Sequence, residues 1–447
     1  MESHSRGRRT REPGGIAVTF RALRYRNYRL FFAGQLISVI GTWMQQVALT
    51  WLVYRLTGSP FLLGIVGFAG QMPLFLVSPF AGVLADRHNR HRMVIATQTL
   101  AMVQAAVLTF LTLTGTITVW QIIVLSAFIG IVNAFDIPTR QSFLLDMIET
   151  KEDLSNAIAL NSSMFNSARL IGPAIAGVVI AALGEGLCFL LNTVSYIAVI
   201  AALLAMRINR KHPPQKPPQR VMEGFTEGFR YAFGFKPIRN ILALLAVVSM
   251  MGMPYAVLMP VFAKDILHGG PETFGFLMGA VGIGALAGAL TLATRKSVVG
   301  LTRWIPAAAA IFGLGVVAFS LSRLVWLSAF LLFVVGVGMM TQMASSNTIL
   351  QTVADDDKRG RVMSFYTMSF MGMTPFGSLF AGSLAAAIGA PLTLLMSGMV
   401  CVIGAFVFAR QLPAMGNEIR TTYIRLGIIP APSSGLQAAT DLTVPPE

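Results

Sequence analysis

Runs of roughly 20 apolar residues recur along most of this 447-residue chain, separated by clusters of charge and by glycine and proline. About 20 residues, each rising about 1.5 Å in a helix, cross the roughly 30 Å hydrocarbon core of a bilayer. Twelve such runs are read, beginning near residues 28, 61, 91, 118, 156, 186, 238, 272, 303, 325, 360 and 391. The expected fold class is an all-α membrane protein of 12 transmembrane helices in two six-helix halves. Only 12% of residues are charged, against about 25% in an average soluble protein, which excludes an ordinary soluble enzyme. The basic stretch before the first run is too long and polar for a signal peptide, and that run is itself too long for one.

The net charge of +15 would suggest nucleic acid if it formed a stripe on a soluble domain. Its placement says otherwise. Threaded through twelve spans, thirty of the 34 lysines and arginines fall on one face, and only Arg55, Lys264 and Arg323 fall on the other. Lysine and arginine collect in cytoplasmic loops, so both termini are expected in the cytoplasm, with the chain in a bacterial inner membrane and no nucleic-acid partner. Cys188 and Cys401 stand singly in apolar runs and form neither a disulfide framework nor a metal site.

The longest internal connection contains KHPPQKPPQR, residues 211–220, a proline-rich segment expected to be extended. Just after it, Val221, Phe225, Phe229 and Phe233 repeat every fourth residue, the pattern of an amphipathic helix at the membrane surface. The chain thus divides into a basic tail (1–27), a first half (28–207), a linker with that helix (208–237), a second half (238–411) and a tail expected to be disordered (412–447). AGVVIAALG (176–184) also matches AGSLAAAIG (381–389), each preceded by a proline, Pro173 or Pro375. Repeated halves of this kind hold a substrate near the bilayer midplane in many transporters.

Few residues within the spans carry chemistry. Arg169 lies about 18 Å into the fifth run, where a lone arginine costs at least about 2.5 kcal/mol. It either closes a polar network within the first half or lines the central cavity, where it would attract an anion or couple transport. Asp136 and Arg140 are spaced to pair on one helix, and Asp136 is equally the leading protonatable carboxylate. Gln45, Gln71, Asn166, Tyr255 and Gln342 are the polar side chains placed nearest a cavity. No phosphate-binding loop, histidine cluster or catalytic constellation occurs, so no cofactor, metal or enzyme activity is expected.

GVLADRHNRHR, residues 82–92, follows the second run. Its arginines suit a cytoplasmic anchor, which leaves Asp86 unexplained; that acid can pair with a neighbouring arginine and accept hydrogen bonds from a helix N-terminus of the other half. Gly82, Asp86, Arg87 and Arg90, with Asn89 where glycine is usual, resemble the signature loop of the major facilitator superfamily. Asn89 is there expected to supply a left-handed turn. NAIALNSSMFNSARLIGPAIAG (156–177) and RGRVMSFYTMSF (359–370) are similar to the exporter branch that includes enterobactin exporters and macrolide-efflux proteins. That resemblance implies a lock between the halves at residues 82–90 and an antiporter motif at Gly172, Pro173 and Gly177. It further implies outward transport of a drug-like or siderophore-like small molecule by alternating access, with protons as the coupling partner and a monomer as the working unit. Uptake, or a non-transporting receptor or scaffold on the same fold, are the alternatives.

Overall fold

A computed structural model of the chain describes residues 20–148, 150–207, 221–295, 297–355 and 357–430. The proline-rich linker and the last part of the C-terminal tail lie outside the described residues, as do the side chains of 79, 80, 82–87, 151, 152 and 221–225. Among the described residues, twelve helices are long and apolar enough to span a membrane: α1 (Arg26–Thr57), α2 (Pro60–Arg87), α3 (Arg90–Leu113), α4 (Val119–Asp146), α5 (Lys151–Leu183), α6 (Glu185–Leu204), α7 (Lys236–Ile266), α8 (Pro271–Ala293), α9 (Leu301–Leu321), α10 (Val325–Val353), α11 (Arg359–Ile388) and α12 (Ala390–Arg425). Each starts within a few residues of its expected position. No strand occurs among the described residues, as the bilayer requires of a chain that does not close a barrel.

The halves are built alike. In the first, α1 packs on α5 and α6, α6 on α3, and α4 on α2 and α3; raising every number by six gives neighbours of the second half. The sequence repeat ends on a shared backbone conformation: Gly184 (φ 83°, ψ 170°) and Gly389 (φ 88°, ψ 152°) each close one helix and open the next. A positive φ is cheap only for glycine, so the last letter of the repeated motif is dictated by the turn.

Two segments bear on the expected domain borders. Residues 221–234 form the anticipated surface helix, which docks on the start of α11: Phe229 and Phe233 stack at 4.3 Å and both meet the Phe365 ring, while Glu227 pairs with Arg361 at 2.7 Å. The second half does not end at 411. Helix α12 continues to Arg425, because Met415, Ile419 and Tyr423 recur every fourth residue and are buried, while Glu418 meets Lys236 and Arg425 meets Asp355. That stretch of the supposed tail is an amphipathic extension.

The symmetry breaks in the second half. α7 contains widened turns at Val248–Gly252 and Phe262–Ile266, and α11 one at Met368–Gly372. The first and third precede Pro254 and Pro375, whose missing N–H groups interrupt the regular ladder.

The interface between the halves as candidate functional site

Two helix pairs make the largest contacts between the halves, α2 with α11 and α5 with α8, and each crosses on glycine. A Cβ at Gly275 would lie 2.6 Å from the Pro173 carbonyl oxygen and 2.7 Å from the Gly177 Cα; one at Gly382 would lie 2.7 Å from the Gly64 Cα. Backbones approach this closely only where no side chain intervenes. The seams are copies of one another. Gly177 and Gly382 hold the same place in the repeated motif, and Gly64 and Gly275 each stand four residues after a proline that opens a helix, Pro60 or Pro271.

These crossings lie toward the face away from the termini, where further contacts close the interface. The Tyr54 hydroxyl of α1 donates to Asp265 of α7, with the Lys264 Nζ 5.6 Å from the Tyr54 ring centre, and Trp51 stacks on Phe274 at 6.0 Å. Arg55 and Glu185 pair at 2.7 and 3.3 Å beside a cleft of about 500 Å³ that Trp51, Pro271 and Glu272 also line. The terminal face is organised differently. Among the described residues its ion pairs stay within one half: Arg21 and Arg24 with Asp153, Arg90 with Asp146 at 3.2 Å, and Arg425 with Asp355 at 2.9 Å. On the terminal side of α5, Ser162, Ser163 and Ser167 are exposed.

Gly82 and Arg87 lie with Asp86 on the last turns of α2, and the side chains of all three fall outside the described residues. Arg90 opens α3 and reaches Asp146 at the end of α4. Asn89 does not make a left-handed turn. Its backbone is extended (φ −69°, ψ 106°) and its side chain caps α3 by accepting from the Arg92 N–H at 3.2 Å; asparagine satisfies a free helix N–H that glycine could not.

Asp136 is enclosed within the first half. It accepts hydrogen bonds from Thr97 (2.7 Å) and Gln98 (2.8 Å) of α3 and pairs with Arg140 at 3.5 Å, with 4% of its surface exposed. Removing one member of a buried pair costs about 3–5 kcal/mol, because the other charge is stranded. Asp136→Ala is therefore expected to lower the thermal unfolding temperature in detergent by several degrees, and an unchanged transition would show the network to be dispensable.

Arg169 lies at the interface itself. Its Nη2 donates to the Met339 thioether of α10 at 3.5 Å, and its guanidinium carbon is 6.0 Å from the centre of the Trp43 ring on α1. Gly172 lets α1 approach at Trp43, since a Cβ there would meet the Trp43 Cβ at 2.5 Å. Pro173 and Gly177, the rest of the antiporter-like motif, form the α5–α8 crossing. Among the described residues no carboxylate pairs with Arg169.

The five cavity candidates separate. Gln45 is bound to Gln104 (3.0 Å) and Asn192 (2.7 Å) inside the first half, which removes it from any cavity. Gln71 shares a face of α2 with Phe68 and Phe75, both of which meet Phe376 of α11. Asn166 stands one turn before Arg169 and donates to the Ser162 carbonyl. Tyr255 is buried within electrostatic reach of Arg169. Gln342 stands one turn after Met339, 1% exposed, with its Nε2 unpartnered. Sequence reasoning missed Trp43, Met339, the Tyr54–Asp265 contact and, of the glycine crossings, Gly64, Gly275 and Gly382. Only the crossings left a readable signal, the glycine four residues after a helix-opening proline.

The comparisons with known proteins agree with this geometry. Residues 17–425 match the family described as transmembrane secretion effector. The staphyloferrin A transporter of Staphylococcus aureus is 27% identical over 86% of this chain and 96% of its own length. Macrolide efflux protein A of Streptococcus pyogenes is 25% identical over 89% and 98%, and the multidrug efflux pump Tap of Mycolicibacterium fortuitum 27% over 82% and 91%. In fold, the chain superposes on an inward-facing, unoccupied bacterial homologue of the human lysosomal transporter Spinster with a TM-score of 0.67 (13% identity, 94% of this chain, 100% of that one). A peptide transporter of the POT type gives 0.69 (14% identity, 88% and 95%). The chain belongs to the transmembrane secretion effector family and is a membrane transporter of the major facilitator superfamily.

Proposed function

We propose that this transporter is a secondary active exporter of small molecules, working as a monomer by alternating access and driven by protons moving inward. The observation that carries the reading is the asymmetry of the interface: both glycine crossings, the Trp51–Phe274 stack and the Tyr54–Asp265 hydrogen bond lie toward one face. Halves held together on one side can rock about the midplane to exchange which face is open. We take the terminal face to be cytoplasmic and the membrane to be a bacterial inner membrane, a reading that the lysine and arginine excess on that face supports; the described state is then the one that loads substrate from within.

The same reading gives individual residues their roles. Asp86, with Gly82, Arg87 and Arg90, makes the lock that closes the cytoplasmic face in the alternate state. Of the two coupling candidates, Asp136 is the one able to take up and release a proton, whereas Arg169 keeps its charge and stands where the halves move. Export rather than uptake is supported by the relatives named for efflux. Inside-out membrane vesicles test the reading: exported compounds are expected to accumulate when a proton gradient is imposed and to release protons from the lumen as they enter. A broad compound panel with no gradient-dependent flux would overturn it.

A further inference from the structure

Arg169 differs from three other arginines of the first-half spans, each of which has a carboxylate partner. Arg55 has Glu185, Arg90 has Asp146, and Arg140 has Asp136. Among the described residues, Arg169 has a thioether and the edge of cation–π range to an indole, both weak partners for a guanidinium. A planar group with five donors is matched by a carboxylate, which accepts two parallel hydrogen bonds from it. A second unfilled donor lies close by along the fold. Gln342 is 1% exposed, its Nε2 has no partner, and it sits on α10 one turn from the methionine that Arg169 touches. The other groups here are apolar or aromatic: Trp43 from the first half, Met339 and Tyr255 from the second.

We propose that these residues form the substrate site and that it selects organic anions: Arg169 grips a carboxylate, Gln342 donates a further hydrogen bond, and Trp43, Met339 and Tyr255 receive an apolar body. The assignment rests on the transport reading above and narrows it to a substrate class. The chemistry also rejects the opposite class, since a cationic ligand would bring like charge against Arg169 in a poorly screened interior. Displacing the Met339 contact costs little, because sulfur is a weak acceptor, so an anion entering the site replaces a poor partner with a strong one. Because the site draws on α1 and α5 of one half and α7 and α10 of the other, an anion held there bridges the two.

The test uses the full-length protein purified in detergent and two fluorescent probes of the same length, a dansyl-labelled undecanoate and the dansyl-labelled trimethylammonium with the same chain. The wild type is expected to bind the carboxylate at least about tenfold more tightly than the ammonium probe. Arg169→Gln is expected to abolish that preference, and Arg169→Lys to retain part of it, because the charge survives without the fork. If Arg169→Gln proves misfolded, Gln342→Leu supplies the reading: several-fold weaker carboxylate binding with ammonium binding unchanged. Equal or reversed preference in the wild type, or full carboxylate affinity in folded Arg169→Gln or Gln342→Leu, would overturn the proposal. Gradient-driven flux without anion preference would defeat the site alone, and anion binding without any flux would defeat the transport reading alone.

Discussion

Leucine at Gly275 is expected to abolish transport while the protein still inserts and elutes as a single species. The first added carbon would sit 2.6 Å from the Pro173 carbonyl oxygen and 2.7 Å from the Gly177 Cα. Both are backbone atoms, so neither can turn aside as a side chain would. Overpacking of this kind costs about 1–3 kcal/mol when surroundings adjust, and here relief comes most readily from parting the α5–α8 seam. At about 1.4 kcal/mol per tenfold, 3 kcal/mol shifts the balance between closed and parted seams more than a hundredfold. The equivalent change at Gly382, whose Cβ would lie 2.7 Å from the Gly64 Cα and 2.8 Å from the Pro60 carbonyl oxygen, is expected to act alike. Gly416→Ala is the control, because nothing lies within 4 Å of a Cβ there. Uptake of an exported compound by inside-out vesicles reads the effect. Normal transport in Gly275→Leu would mean that this seam need not close.

Asp86→Asn carries the second large effect. The substitution keeps the size of the side chain and removes its charge, so insertion is expected to proceed normally: Arg87, Arg90 and Arg92 remain as the orienting charges of that loop. Arg90 keeps Asp146 as a carboxylate partner whatever stands at 86. What disappears is the acid available to the other half when the terminal face closes. Contacts of a charged acceptor contribute about 1.5–3 kcal/mol, and transport in the same vesicles is expected to fall tenfold or more. Wild-type flux would reduce the loop to an anchor.

The spans were legible because each is a long apolar run whose ends are marked by charge, and the surface helix because four apolar residues recur every fourth position. The helical end of α12 carried a signal of the same kind in Met415, Ile419 and Tyr423, but it lies among the charges that elsewhere mark a loop. Side-chain partners were harder. Gln45, Asn166 and Gln342 are equivalent as polar residues in apolar runs, and only packing separates the one bound to Gln104 and Asn192 from the one with a free donor. Asp136 pairs along its own helix as spacing allows, yet its stronger partners, Thr97 and Gln98, come from α3. Asp265 and Tyr54 are more than two hundred residues apart, and nothing local in either segment announces the other.

The reciprocal movement of the two faces is measured most directly by pulsed electron resonance between paired spin labels in the reconstituted protein. Residues 61 and 388 mark the ends of α2 and α11 on the face away from the termini, and 145 and 351 mark α4 and α10 on the terminal face; all four are exposed, whereas the native Cys188 and Cys401 are buried. In the described state the 61–388 distance is expected to be at its shorter value and the 145–351 distance at its longer one. Under conditions that drive turnover a second population is expected in which the first lengthens as the second shortens. Distances that change together, or one that changes while the other stays fixed, would contradict alternating access by this chain.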